Sequence, residues 1–201
     1  FELIGPEKKV LKKAMNVFST QSSTVKNFLK FAQEFSERAG VLSDTLPDGA
    51  SIYLSDDGRF RIDYVDVIRD SNKMVPHPAS GKMVPNPNYG KPLKTPARIS
   101  RHDGVIEISK KYFKQYTVPM RMAILLHEFA HFYLNNNPRD ESEADLNALT
   151  IYLSMGYPRI EAYQAWLEVF KGTDTPQNRD RWAKIKKFID EFENKEYSLI
   201  P

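Results

Sequence analysis

Two histidines and a glutamate lie within the five-residue segment His127-Glu-Phe-Ala-His131. Histidines at positions i and i+4 face the same side of an α-helix, one turn apart, so both imidazoles can bind a single cation. Glu128 lies between them and would be directed at a water molecule on that cation rather than at the cation itself. The spacing therefore predicts a metal site that activates water, which is the chemistry of a zinc hydrolase.

A catalytic zinc ion commonly has three protein ligands, and water takes the fourth position. The histidines of this chain are His77, His102, His127 and His131, and none of them follows the motif. A third ligand from a downstream histidine is therefore excluded. A carboxylate is the natural remaining ligand.

The segment Glu141-Ser-Glu-Ala-Asp145 offers carboxylates at helical spacing. In an antiparallel helical hairpin with a short turn, Glu141 lies opposite His131. Asp145 lies one turn deeper, opposite His127. Glu141 is thus the predicted third ligand, and Asp145 is predicted to accept the free ring N–H of His127. Glu143 faces another direction and stays the alternative ligand.

These two segments together resemble the gluzincin branch of zinc metallopeptidases, whose signatures are HExxH and a downstream ExxAD-type helix. The resemblance covers about residues 100–156 and, because the spacer is short, indicates a compact, minimal form. It implies a mainly helical, zincin-like α+β domain with a small, mostly antiparallel sheet, in which the strand before the motif helix (Gly104–Ser109 here) forms the substrate-binding edge. It also implies a Zn2+ cofactor and the following roles: His127, His131 and Glu141 as ligands, Glu128 as general base, and Asp145 as support for the first histidine.

The expected reaction is hydrolysis of a peptide bond in a protein or peptide substrate, by a zinc-bound water that Glu128 activates. Such a reaction also needs a group that stabilises negative charge on the carbonyl oxygen, commonly a Tyr, His or Arg. Tyr152, Tyr157 and His102 are the candidates. His77 suggests a further hypothesis, an inhibitory ligand on the zinc, beside the plainer reading of a loop histidine.

Apolar periodicity and turn residues predict the elements that position the motif. Helices are expected within 6–40, around 110–116, and over about 118–135, 140–155, 158–171 and 176–194. A hairpin over 52–54 and 60–68 and a strand at 104–109 supply the β-structure. N-terminal helices within 1–45 would then precede a metallopeptidase domain of 46–201, and both are expected to form one compact unit.

The segment 71–98 contains a tandem repeat, Lys73-Met-Val-Pro-His-Pro-Ala-Ser-Gly81 followed by Lys82-Met-Val-Pro-Asn-Pro-Asn-Tyr-Gly90. Its six prolines exclude an interior strand or helix. An extended surface loop is therefore predicted, and loops of this length are usually functional or disordered. The alternatives are a mobile insertion, a flap over the active site, and a docking arm for a protein partner.

The composition narrows the possible classes of protein. A net charge of +3, from 29 basic and 26 acidic residues, is too small to indicate nucleic-acid binding. The absence of cysteine excludes disulfides and thiolate metal sites. No apolar run reaches the roughly 18 residues that span a bilayer, and no secretory signal is visible. A cytoplasmic location is therefore favoured, although it stays open because the chain begins at Phe1 rather than at a methionine.

Two other functions stay open beside the active enzyme. One is a binding or structural protein that retains zinc without turnover and docks into a larger assembly through 71–98. The other is a latent peptidase that its N-terminal helices or the 71–98 segment block. An intact Glu128 favours the enzyme, because a structural zinc site has no use for a general base. Short proteins of this kind also occur in phages and mobile elements.

Overall fold

The computed structural model describes residues 22–39, 51–69, 74–77, 79–171 and 174–194. These residues have the predicted α+β character and separate into two compact units. One unit contains the described residues up to Glu37 and from Tyr116 onward, and the other contains those from Arg38 to Gln115. The boundary near residue 45 that the sequence suggests stays a prediction.

Helices make up most of the regular structure in these ranges. They are α1 (Ser22–Arg38), α2 (Lys110–Phe113), α3 (Val118–Tyr133), α4 (Glu141–Ser154), α5 (Arg159–Phe170) and α6 (Pro176–Asn194). The predicted bounds of α3 to α6 are confirmed to within two residues. The apolar stripe predicted around 10–18 lies outside the described residues. None of the helices in the described part of the chain combines the length and the apolar character that crossing a bilayer requires.

Capping residues set where α3 and α4 begin. The Thr117 hydroxyl accepts a hydrogen bond from the Met120 N–H at 3.3 Å, and Pro119 occupies the first turn, where its missing N–H costs nothing. At the start of α4, the Asp140 carboxylate accepts the Glu143 N–H at 3.0 Å. The two caps therefore place the histidines in the second half of one helix and Glu141 at the beginning of the next.

Helix α3 is the central helix of its unit. It packs along α4 and α5, and α6 packs against α4. Leu125 and Phe129 are fully buried, and Phe129 stacks on Phe28 of α1 with ring centroids 4.1 Å apart. Burying each such side chain stabilises the fold by about 1.5–3 kcal/mol. Because the apolar faces of α3 are held in this way, its rotation is fixed and His127 and His131 face α4.

The second unit contains a four-stranded mixed sheet. Its strands are β1 (Ser51–Leu54), β2 (Arg61–Val65), β5 (Ala97–Ile99) and β6 (Ile106–Ser109), in the order β1-β2-β6-β5. The β1–β2 and β5–β6 pairs are antiparallel and β2–β6 is parallel, so the predicted small, mostly antiparallel sheet is confirmed. The expectation that the strand within Gly104–Ser109 forms an edge is wrong, because β6 is hydrogen-bonded on both sides.

The two copies of the tandem repeat pair with each other. Strands β3 (Met74–Pro76) and β4 (Met83–Pro85) form an antiparallel ribbon in which Val75 is opposite Val84. The prediction of a loop without secondary structure is therefore wrong for these residues. Both strands of a two-stranded ribbon are edge strands, which is the position in a sheet where proline is tolerated. Gly81 and Gly90, which end the copies, have φ of 66° and 78°, a conformation that favours glycine.

Candidate metal site

Three side chains from α3 and α4 converge on one point. The Nε2 atoms of His127 and His131 are 3.1 Å apart. The Oε2 atom of Glu141 lies 3.3 Å from Nε2 of His127 and 3.5 Å from Nε2 of His131. Among the described residues, these three form a group that could hold a metal ion. The convergence follows from local geometry, because a histidine pair one turn apart faces the first turn of the following helix.

Asp145 lies one turn deeper than Glu141, behind the first histidine. Its Oδ1 is 2.9 Å from Nδ1 of His127, although the ring N–H is not aligned for a full hydrogen bond. The Asp145 side chain is only 1 % exposed. The structure therefore brings Asp145 to the ring nitrogen that faces away from Glu141, as the spacing in the sequence predicts.

Glu143, the alternative ligand, is engaged elsewhere. Its Oε1 accepts hydrogen bonds from the backbone N–H of Asn136 at 3.1 Å and from the Asn136 side chain at 3.3 Å. Its Oε2 accepts the Asn137 N–H at 3.4 Å. Glu143 therefore stabilises the turn between the two helices, and the geometry favours Glu141 as the metal-directed carboxylate.

Two residues that sequence reasoning missed complete the surroundings of Asp145. Trp166 of α5 donates its indole N–H to Oδ1 at 2.7 Å. Arg181 of α6 donates from Nε to Oδ2 at 2.8 Å and from Nη2 to Oδ1 at 3.0 Å. The same Nη2 lies 3.4 Å from Oε2 of Glu141. A buried indole or guanidinium needs a polar partner, but no spacing rule links these distant helices to α4.

The electrostatics of the cluster favour ionised carboxylates. Burial alone would raise the pKa of Glu141, but hydrogen bonds from His127 and His131 hold it well below its ordinary value. Burial would likewise raise the pKa of Asp145, but His127 and then Arg181 lower it. For His127, burial disfavours the charged ring, yet Asp145 and Glu141 outweigh this effect and raise the pKa to about 10.

Glu128 follows His127 on α3 and is buried, with 9 % of its surface exposed. Its charge contributes to the raised pKa of both His127 and Arg181. A carboxylate that exerts these effects lies close to the metal-directed group. Glu128 is not among the three side chains that converge.

Tyr152 and Tyr157, two of the predicted oxyanion stabilisers, contact each other at the end of α4 instead of the cluster. Tyr152 lies eleven residues after Glu141 in α4, which corresponds to about 16 Å along the helix axis. Its hydroxyl donates to the Pro158 carbonyl at 3.0 Å, and its ring stacks on Tyr157 at a centroid distance of 4.9 Å. Burial raises the pKa of both tyrosines. The pair therefore serves the packing at the end of α4.

The other two histidines belong to the second unit. His102 is exposed in a turn before β6. His77 is exposed at the end of β3, where its Nδ1 accepts the Ala79 N–H at 3.3 Å. The roles considered for these residues, in stabilising an oxyanion and in inhibiting the site, stay hypotheses.

A polar cleft of about 470 Å3 adjoins the cluster at the beginning of α4 and α6. Glu141, Arg181, Arg139, Ser142 and Asn178 are among its lining residues. The Glu141 side chain is 42 % exposed. The carboxylate ligand can therefore be reached from solvent.

Comparisons with protein-family models, with curated proteins and with solved structures found no match. The zincin-like fold and the peptidase resemblance therefore stay predictions from the sequence motif.

The pKa of His127 predicts how the stability of the metal-free protein depends on pH. Its value in the folded protein, about 10, lies above the ordinary 6.5. The resulting stabilisation is complete below pH 6.5 and is lost as the pH rises through 10. We expect the urea midpoint of chelator-treated protein to fall between pH 6.5 and 9.5. A His127→Gln variant should show a smaller fall, and a midpoint that rises over this range in the parent protein would contradict the assignment.

Substitution of the two glutamates in α4 separates the ligand from the turn residue. We expect Glu141→Gln to weaken zinc binding by more than about 10-fold. Even residues that only support metal ligands typically cost at least that much when they are replaced. Glu143→Gln should leave zinc affinity unchanged, because the Glu143 carboxylate accepts hydrogen bonds from the turn residues Asn136 and Asn137. Zinc affinity is measured by competition with a chromophoric chelator. The opposite ranking would make Glu143 the ligand.

Proposed function

We propose that the protein is a zinc-dependent peptidase of compact gluzincin type. The observation that carries this proposal is the convergence of two imidazole nitrogens and one carboxylate oxygen beside a second, buried carboxylate. His127, His131 and Glu141 supply the convergent atoms, and Glu128 supplies the second carboxylate.

The distances within the cluster support zinc as the metal. In a tetrahedral site with bonds of about 2.0 Å, neighbouring ligand atoms are roughly 3.3 Å apart. The three separations here are 3.1, 3.3 and 3.5 Å, which fit one face of such a tetrahedron. The donor set of two imidazoles and a carboxylate, without thiolate, is one that catalytic zinc sites use and that leaves the fourth position open.

The chain's own residues would perform the proton transfers. A zinc ion held by the three ligands would lower the pKa of a coordinated water towards about 7 and would polarise a substrate carbonyl. Glu128 would accept the proton of the attacking water and pass it to the nitrogen of the leaving amine, so that the C–N bond breaks without release of a strongly basic anion. Asp145 would keep His127 in the tautomer whose Nε2 faces Glu141.

The exposure of Glu141 supports catalysis over a purely structural metal. Structural zinc sites are closed by four protein ligands, whereas catalytic sites keep one position accessible. Here the described residues supply three ligand atoms, and one ligand side chain is 42 % exposed. An accessible site also agrees with a protein or peptide substrate, which must approach as an extended chain.

The proposed function is tested with a dye-labelled, unfolded protein such as casein. We expect cleavage by the zinc-loaded chain, loss of cleavage after removal of the metal with a chelator, and recovery on addition of zinc. Cleavage that resists the chelator would contradict a metal-dependent mechanism. Activity that emerges only after limited proteolysis would indicate the latent form of the enzyme.

A second candidate function is a zinc-retaining component of a larger assembly. The ribbon of β3 and β4 favours it, because Met74 and Met83 are 43 % and 59 % exposed and Tyr89 is 42 % exposed. Exposed methionine and tyrosine are common at protein interfaces. If wild-type protein binds zinc tightly but is as inert as Glu128→Gln across many unfolded substrates, this candidate replaces the peptidase.

A further inference from the structure

Arg181 contacts two carboxylates of the candidate metal site at once, those of Asp145 and Glu141. Its Nε and Nη2 atoms form a two-pronged contact with Asp145, at 2.8 and 3.0 Å. Nη2 also lies 3.4 Å from the Glu141 oxygen that faces both histidines. The Arg181 side chain is only 13 % exposed, and its guanidinium lies 4.9 Å from the centre of the Phe170 ring. One side chain from α6 thus links the metal-directed carboxylate to the carboxylate behind His127.

The charges around Arg181 explain why a cation is needed there. Three carboxylates, Glu128, Glu141 and Asp145, all contribute to the raised pKa of Arg181. Buried carboxylates without counter-charges are strongly destabilising. A divalent ion together with one guanidinium balances three carboxylates, so the site is neutral once the metal is bound.

Two opposite effects on metal binding follow from this placement. The positive charge of Arg181 repels an incoming cation, which on its own would weaken binding. Its contacts also hold Asp145, and through it the His127 ring, while limiting the movement of the exposed Glu141 side chain. Groups that orient metal ligands in this way typically contribute 10- to 100-fold to metal affinity.

We propose that Arg181 is a positioning residue of the metal site, whose hold on Asp145 and Glu141 outweighs its repulsion of the metal ion. This inference rests on the metal site of the proposed function, although it does not require that the protein cleave peptides. Arginine suits the task because its planar guanidinium presents parallel N–H donors, which the single ammonium group of lysine cannot reproduce. Trp166 supplies a further fixed donor to the same carboxylate.

The test compares Arg181→Met and Arg181→Lys with Arg179→Met. The control residue lies on the same helix, and its exposed guanidinium pairs with Asp174 at 3.0 Å instead of contacting the cluster. Zinc affinity of the full chain is measured by competition with a chromophoric chelator, well below the melting temperature. The visible absorption spectrum of the Co2+-loaded protein reports the ligand geometry. Urea unfolding in the presence of a chelator reports the stability of the metal-free fold separately.

We expect Arg181→Met to weaken zinc binding by about 10- to 100-fold and to change the Co2+ spectrum. Arg181→Lys, which keeps the charge but loses the two-pronged contact, should also weaken binding. Arg179→Met should match the parent protein in both readouts. Unchanged or tighter binding by Arg181→Met would overturn the inference, because repulsion would then dominate. Lower stability without a change in affinity or spectrum would also overturn it, since Arg181 would then be only a structural residue.

A double-mutant cycle with Asp145→Asn tests the route of the effect. If Arg181 acts through Asp145, the losses of zinc affinity in the two single variants should be clearly non-additive in the double variant. Additive losses would overturn this route. If the parent protein and Arg181→Met bind zinc equally well, the inference about Arg181 fails and the peptidase proposal is unaffected. If zinc binds as expected but no substrate is cleaved, the peptidase proposal fails and the inference about Arg181 is unaffected.

Discussion

Replacement of Glu128 by glutamine is expected to lower peptidase activity by about 10²- to 10⁴-fold while zinc stays bound. Glutamine has nearly the same shape but cannot accept a proton from the attacking water. The three proposed ligand atoms belong to His127, His131 and Glu141, which the substitution leaves unaltered. Activity on dye-labelled casein and zinc content per chain are the two measurements.

Glu143→Gln is the matched control for this variant. It makes the same chemical change at a carboxylate of the following helix, which accepts hydrogen bonds from Asn136 and Asn137. We expect it to keep its activity. If Glu128→Gln is as active as the parent protein, Glu128 is not the general base, and the proposed mechanism is wrong.

Replacement of His131 by alanine is expected to abolish zinc binding at this site. His131 is 3 % exposed, and its Nε2 lies 3.1 Å from Nε2 of His127, so the substitution removes one of the three converging atoms from a buried position. A ligand present at 1,000 times its dissociation constant stabilises a protein by about 4 kcal/mol. The parent protein should therefore gain stability on zinc addition, and His131→Ala should gain almost none.

The comparison for His131→Ala is the difference in the free energy of unfolding with zinc and with chelator, measured separately for each protein. This difference removes the cost of the substitution to the metal-free fold. His102→Ala, which changes an exposed histidine in a turn, should keep the full zinc-dependent gain. An equal gain in His131→Ala would show that the metal binds elsewhere.

The local parts of the site could be predicted from the sequence. The i, i+4 spacing of the histidines, a short turn and the spacing of Glu141 and Asp145 determine which side chains can meet across an antiparallel helical hairpin. Capping residues and apolar periodicity placed α3 to α6 within two residues of their observed bounds. All of these features depend on contacts between residues that are close in the chain.

The long-range parts could not be predicted in this way. Trp166 and Arg181 contact Asp145 from two later helices, and they lie 21 and 36 residues after Asp145 in the chain. Their helical periodicity shows that they can face the core, but it does not show which polar group they meet. Tyr152 is a candidate oxyanion stabiliser because it shares a helix with Glu141, yet along the helix axis it lies too far from Glu141 to reach the cluster.

The β-structure differs from expectation for a related reason. Whether β6 is an edge or an interior strand depends on which strands pair with it, and its short sequence does not specify its neighbours. The proline-rich repeat predicts a loop because proline excludes interior strands. Its two copies instead form a ribbon with each other, in which every strand is an edge.

X-ray absorption at the zinc K-edge of the stoichiometrically loaded protein is the most direct test of the metal site. The account predicts four light-atom ligands at about 2.0 Å, with the multiple-scattering pattern of two imidazoles. The remaining ligands should be oxygen atoms, from Glu141 and from solvent. A six-coordinate shell of oxygen atoms without imidazole scattering, or less than one zinc ion per chain at saturation, would contradict it.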